Sequence, residues 1–333
     1  MNRYMTKPNI VYLLIFIMLL LIPFITDSRT LLIIFTQVFL FAIFAMSYDI
    51  LLGYTGIVSF GHAMFFGIGA YSTGVMLKQF DSTIPTLLLA VVVGAIIAAF
   101  ISYLVGMLSL RLKSHFYAML TLAFSGLFLV LAEKWRSLTY GNDGFTFSIP
   151  EPLKDRLTLY LLALILMGAI FLLLRRFISS PLGRVLQAIR ENENRTESLG
   201  YNVLHYKVIA SVVAGVVASI AGSLYVLTLR FVNTSVFAVD VTLDALLMTI
   251  IGGVGTLIGA IIGAGLIEFA HHWISGLSKV HWIFERWIIL FGVLYILVVM
   301  FFPQGIVGTA RVWWGNRKES KRSAIKNDNN LSG

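Results

Sequence analysis

Apolar residues gather along this chain in long runs instead of one-sided stripes. The runs cover residues 10–25, 30–52, 57–77, 84–110, 116–132, 157–174, 208–229, 241–270 and 287–302, and short polar loops separate most of them. A helix needs about 20 residues to cross roughly 30 Å of hydrocarbon. A single segment spans lipid only if its backbone satisfies its own hydrogen bonds, which a helix does. The pattern therefore predicts an all-α, polytopic integral membrane protein of about 8–10 transmembrane helices. The first run follows Arg3 and Lys7 and has no small-x-small cleavage site before Asp27, so it is read as a retained span and not as a signal peptide.

Two of the runs are interrupted by glycine. One stretch reads from Gly53 through Gly56, Gly61 and Gly67 to Gly69, and the other from Gly252 through Gly253, Gly255, Gly259 and Gly263 to Gly265. They lie in opposite halves of the chain, the placement expected of a transporter with discontinuous helices, because unwound backbone inside a membrane survives only against protein or a water-filled path. In the second stretch Gly255, Gly259 and Gly263 stand at i, i+4 and i+8, which favours close helix packing. In the first, Asp49, Gly53, Gly56, Ser59 and His62 put polar groups where lipid would penalise them, and these are the candidates for the translocation path.

Between the runs ending at 174 and beginning at 208, the segment 175–207 is dense in arginine and glutamate. Ser180-Pro181 is a helix start, with serine to cap free amides and proline preset for the first turn. Leu182, Val185, Leu186 and Ile189 then recur at i, i+3, i+4 and i+7, and Gly200 offers a left-handed stop. A helical region of about twelve to eighteen residues is marginal alone, so its apolar stripe needs a partner surface. An interfacial helix on anionic lipid is one reading. Glu191, Glu193 and Glu197 would be repelled there, which favours a protein partner.

Charge then orients the spans. Net charge is +2 over residues 1–9, +3 over 175–207 and +4 over 311–333, which together account for the whole +9. The positive-inside rule assigns all three segments to the cytoplasm, so basicity here reads as topology and gives no reason to expect nucleic acid. With both termini inside, the number of crossings is even, and at least one of the nine runs is not a simple traverse. Residues 1–310 form the expected transmembrane domain, and 311–333 a basic, disordered cytoplasmic tail. Apolar residues at 58%, charged residues at 12% and a mean hydropathy of +0.88 leave no stretch for a separate soluble domain.

Enzymatic and cofactor chemistry has little to stand on. The chain lacks a G-x-x-x-x-G-K-[ST] loop and cysteine, so it cannot cradle nucleotide phosphates by that motif, and it has neither disulfides nor thiolate metal sites. His271-His272 lacks the spacing of a zinc protease motif, and Ser59 with His62 brings no oxyanion hole. No catalytic residue, cofactor or metal is expected. Asp49, Asp244 and Glu268 lie in or near apolar runs and form the alternative of a proton-coupled secondary transporter; a purely structural membrane protein is the third class.

Several of these segments together resemble a known family. Tyr48-Asp49-Ile50-Leu51-Leu52-Gly53-Tyr54-Thr55-Gly56-Ile57-Val58-Ser59-Phe60-Gly61-His62-Ala63 is similar to the early glycine-rich signature of membrane permeases of ATP-driven (ABC) importers for branched-chain amino acids, of the LivM type. Leu110-Arg111-Leu112-Lys113, the stretch 116–124, the turn Asn142-Asp143-Gly144, and the stretch from Ser180 through Glu193 to Gly200 resemble it as well. The resemblance implies the permease fold of such importers, a bacterial plasma membrane location, and no enzymatic activity of its own. It further implies a second related permease, two cytoplasmic ATPases and an extracytoplasmic binding protein. The 175–207 loop would then couple to the ATPase, with Gly183, Arg184, Ala188, Arg190, Glu191, Glu193 and Gly200 as candidates. Thr196-Glu197-Ser198 departs from the alanine-rich stretch of other importers. Leucine, isoleucine and valine are the implied cargo, with urea or short amides as the alternative within the family. The loop from Glu133 to Arg156 is the expected dock for the binding protein.

Overall fold

The computed structural model describes residues 7–25, 28–110, 114–277, 292, 296, 300 and 305–309. The 287–302 run, apart from three positions, the basic pair Arg111 and Lys113, the first six residues and the 311–333 tail lie outside the described residues.

Among the described residues, the apolar runs become helices with limits within about five residues of those expected, and the 241–270 run becomes two. In chain order they are α1 (Lys7–Ile25), α2 (Arg29–Thr55), α3 (His62–Gln79), α4 (Ile84–Ser109), α5 (Ser114–Lys134), the short α6 (Arg136–Thr139), α7 (Arg156–Ser179), α8 (Pro181–Glu191), α9 (Glu193–Ser198), α10 (Val203–Leu229), α11 (Val239–Gly252) and α12 (Leu257–Leu277). Among the described residues α2, α4, α5, α7 and α10 are long and apolar enough to cross a membrane; α11 and α12, bent by 115° at their junction, form a broken span or a re-entrant hairpin. Among the described residues, the 241–270 run is thus split between α11 and α12.

The helices divide by what surrounds them. α2 and α10 occupy the centre: α2 packs on α7, α10 and α12, and α10 packs on α3 and α4 as well. Along α2 nearly every side chain from Val38 to Leu51 is buried, whichever way it points, as expected for a helix apolar on all sides. α4 is two-faced. Leu88, Leu89, Val92, Ile96 and Phe100 are exposed, whereas Ala90, Gly94, Ala98, Ser102 and Gly106, spaced by four, are buried. That row of small residues lets α4 approach α10 closely, and Ser102 and Ser211 hydrogen-bond across the contact at 2.9 Å.

Backbone meets backbone where α3 crosses α10. A Cβ on Gly69 would overlap the Ser219 carbonyl, and one on Gly222 would overlap the Phe66 carbonyl. Ser223 adds a hydrogen bond from its hydroxyl to the Gly69 carbonyl at 3.1 Å.

A small cap closes one end of the bundle. α6 and three short 3-10 turns flank β1 (Phe145–Thr146) and β2 (Phe231–Val232), which pair antiparallel with Phe145 opposite Val232. Lys78 lays its ammonium 3.6 Å from the centre of the Tyr140 ring, a cation–π contact that ties the end of α3 to the cap. The Glu133–Arg156 loop is therefore folded over much of its length. α8 and α9 lie at the opposite end, because α7 and α10 run the length of the bundle between the two.

Replacing Gly222 by valine is expected to destabilise the bundle by about 3 kcal/mol, since backbone has to move to admit the side chain. Gly126→Ala on α5, where a Cβ meets nothing within 4 Å, is the matched control and should be neutral. Thermal unfolding of the detergent-solubilised proteins reads the difference.

Candidate functional site

At the α8 end, three segments distant in sequence converge on one point. α2 stops at Gly56, whose φ of 72° is left-handed, and the Ile57 amide closes back on the Leu51 carbonyl at 3.0 Å. That geometry still leaves carbonyls of the last turn without helical partners. The Gly53 carbonyl is taken by the Arg190 guanidinium, which donates through Nη1. Across the way, the α11–α12 junction turns through Gly253 (φ 123°) and Gly255 (φ 80°), and the Gly255 amide donates to Asp49 Oδ1 at 2.7 Å. A cation thus sits at the C-terminal end of α2 and a carboxylate near the N-terminal end of α12, each the sign the helix dipole favours.

Glycine is required at this meeting point by space. A Cβ on Gly53 would stand 2.5 Å from the Gly255 nitrogen and 2.7 Å from its Cα, besides overlapping the Asp49 carboxylate. A Cβ on Gly255 would stand 2.8 Å from Arg190 Nη1 and 3.1 Å from the Gly53 carbonyl oxygen. The two glycine-rich stretches therefore touch, with Gly53 against Gly255. Next to them opens a cavity of about 690 Å³, lined in part by Gln187, Arg190, Glu191, Thr256 and Ile258.

The coupling-segment residues separate into different jobs. Ser180 caps α8 by accepting from the Gly183 amide at 3.3 Å. Gly183 itself lies against the backbone of Ile178, 2.6 Å from its Cα to a hypothetical Cβ, so the elbow from α7 into α8 demands it. Leu186 and Ile189 are only 1% and 3% exposed. The apolar stripe is thus seated partly on the chain's own α2, α7 and α10. The helical region does not run unbroken to Gly200. Asn192, extended at φ −159°, ends α8, and its side chain caps α9 by accepting from the Arg195 amide at 3.0 Å. Gly200 then stops α9 at φ 90°. Glu193 pairs with Lys207 of α10 at 2.7 Å. Arg184, Ala188, Arg190 and Glu191 are exposed on α8.

The path candidates surround the break between α2 and α3. His62 is fully buried, with Nε2 2.8 Å from the Ser47 hydroxyl and the ring packed by Phe44, Tyr48 and Phe65. Ser59 is buried too; its carbonyl accepts from the Tyr48 hydroxyl at 3.0 Å. Side chains from other helices satisfy the freed amides: Thr121 of α5 accepts from Phe60 at 3.2 Å and Thr242 of α11 from Ala63 at 2.8 Å. Unwound backbone in an apolar bundle needs such donors and acceptors. Gly56 is exposed, whereas Asp49 and Gly53 are buried at the glycine contact. Asp244 and Glu268 lie half-buried on α11 and α12.

Sequence reasoning missed Thr121, Thr242 and the small-residue row of α4. The row was readable as alanine, glycine and serine at four-residue intervals. The threonines carried only the signal of isolated hydroxyls in apolar runs. It also placed Gly255 with Gly259 and Gly263 on one helical stripe. Only the latter two lie on α12, packed on the Gly252 and Met248 carbonyls of α11, while Gly255 sits in the turn.

Comparison with known proteins assigns the chain. Residues 30–302 match the family model for the permease component of branched-chain amino acid transport systems, and the chain belongs to this family. The LivM high-affinity branched-chain amino acid transport permease of Salmonella typhimurium is 25% identical over 305 residues, covering 83% of this chain and 69% of that protein. Its Escherichia coli counterpart is 24% identical with the same coverage. A probable LivM permease from Methanocaldococcus jannaschii is 25% identical over 318 residues, covering 80% of this chain and 90% of that protein. No solved structure matches the chain.

Gly255→Ala is expected to lose about 1–3 kcal/mol, from the left-handed backbone and the displaced Arg190 together. Hydrogen exchange followed by mass spectrometry should show faster exchange in α8 and the α11–α12 junction than in α4.

Proposed function

We propose, from the membership of this chain in the branched-chain amino acid permease family, that it is a membrane-spanning subunit of an ATP-driven importer. Together with a second related permease it forms the path for leucine, isoleucine and valine, delivered by an extracytoplasmic binding protein and driven by two cytoplasmic ATPases. Urea or short amides remain the alternative cargo. The chain sits in the bacterial plasma membrane with both termini, α8 and α9 on the cytoplasmic side, and with the cap built on the Glu133–Arg156 loop on the outside as the dock for the binding protein.

The observation that supports this reading is the construction of α8. One face is fixed to the bundle by Leu186 and Ile189, and the exposed Arg190 adds its contact with Gly53, while Arg184, Gln187, Ala188 and Glu191 are exposed as well. A short helix held rigidly on one side and presenting mixed charge on the other suits a protein groove better than an anionic lipid surface. Force applied to it passes into packed helices, and such bundles switch between discrete arrangements.

In proteoliposomes holding the whole assembly, leucine uptake should require ATP and the binding protein and be competed by isoleucine and valine. Competition by urea or acetamide alone would reassign the cargo. Uptake driven by a pH gradient without ATP would favour the proton-coupled reading through Asp49, Asp244 or Glu268. Arg184→Glu on the exposed face should reduce copurification of the ATPases.

A further inference from the structure

Arg190 stands among the coupling-segment residues and is exposed, and its side chain reaches from α8 across to the end of α2. Its Cγ lies 3.3 Å from where a Cβ of Gly56 would be, and its guanidinium ends on the Gly53 carbonyl with Gly255 directly beyond. We propose that Arg190 and Asp49 are positioning residues that carry the displacement of α8 into the α11–α12 hairpin. This rests on the importer reading above and assigns the route by which its work enters the bundle.

Three bodies share the contact: α8 through Arg190, the end of α2 through Gly53 and Asp49, and the hairpin through Gly255. Glycine at positions 53, 56 and 255 brings α2 and the hairpin to backbone range beside Arg190, so the Arg190 and Asp49 side chains are what join the three bodies. A hydrogen bond holds over only a few tenths of an ångström, and a lever that moves further either drags the Gly53 carbonyl or releases it. Asp49 is fully buried, and its Oδ2 has no hydrogen-bond partner. The Gly255 amide is the bond that holds this carboxylate to the hairpin, and a carboxylate with a spare acceptor is ready to exchange it. The adjoining cavity of about 690 Å³, lined by Arg190, Gly255, Thr256 and Leu257, provides room for that movement.

The test uses the full complex of both permeases, ATPases and binding protein in liposomes. Arg190→Ala should copurify with the ATPases as the unmodified chain does, while the ATP hydrolysed per amino acid imported rises about tenfold. Arg190→Lys, which keeps a donor, should restore part of the coupling. Asp49→Asn leaves the lever untouched and should also raise the ratio; it decides the matter if Arg190→Ala does not assemble. Because the chain has no cysteine, spin labels at Gln187→Cys and Ile262→Cys can follow α8 and the hairpin. ATP should move both in the otherwise unmodified chain, and α8 alone after Arg190→Ala. The proposal is overturned if Arg190→Ala and Asp49→Asn both couple normally, or if Asp49→Asn couples normally where Arg190→Ala does not assemble. Absence of ATP-driven uptake by the unmodified complex would instead reject the importer reading.

Discussion

A backbone amide or carbonyl released from a helix inside an apolar bundle has no water to turn to, and leaving it unpaired is expensive. Two helix breaks in this chain impose that demand, at residues 56–61 and 253–256, and much of the surrounding structure answers it. Thr121, Thr242 and Tyr48 serve the first break. Asp49 serves the second, and Arg190 serves the end of α2. Because those groups come from α2, α5, α8 and α11, satisfying the breaks also fixes how these helices stand to one another.

The same demand explains where glycine is tolerated. Inside ordinary helices it weakens the backbone, but here the loss is offset by approach distances that no other residue permits. Gly69 and Gly222 bring α3 and α10 together at backbone range, and Gly53 and Gly255 do so for α2 and the hairpin junction. Packing attraction between helices in lipid depends on such closeness, since lipid tails are as apolar as leucine. The contacts of α10 with α3 and α4, and of α2 with the hairpin, are therefore made in part by small residues and hydroxyls.

α8 shows how an exposed element acquires a definite position. Eleven residues would not hold a helix in water alone. Ser180 and Asn192 set its limits, Gly183 its elbow, and Leu186 with Ile189 its seat. A stripe that needed a partner surface found much of it within its own chain, which leaves the polar face to the outside.

Local chemistry determined a great deal by itself. Unbroken apolar runs are satisfied in lipid as helices, so the spans among the described residues were legible to within about five residues. Serine before proline and a glycine after leucine marked the start of α8 and the stop of α9, because capping is a short-range matter. Partnership across the fold was not legible. Nothing near Arg190 says that it turns inward to Gly53, nothing near Asp49 points to an amide 206 residues away, and nothing in the spacing of Gly255, Gly259 and Gly263 reveals that the first lies in a turn. Those choices were made by which orphaned backbone group came within hydrogen-bonding reach once the helices had packed, a condition only the tertiary structure sets.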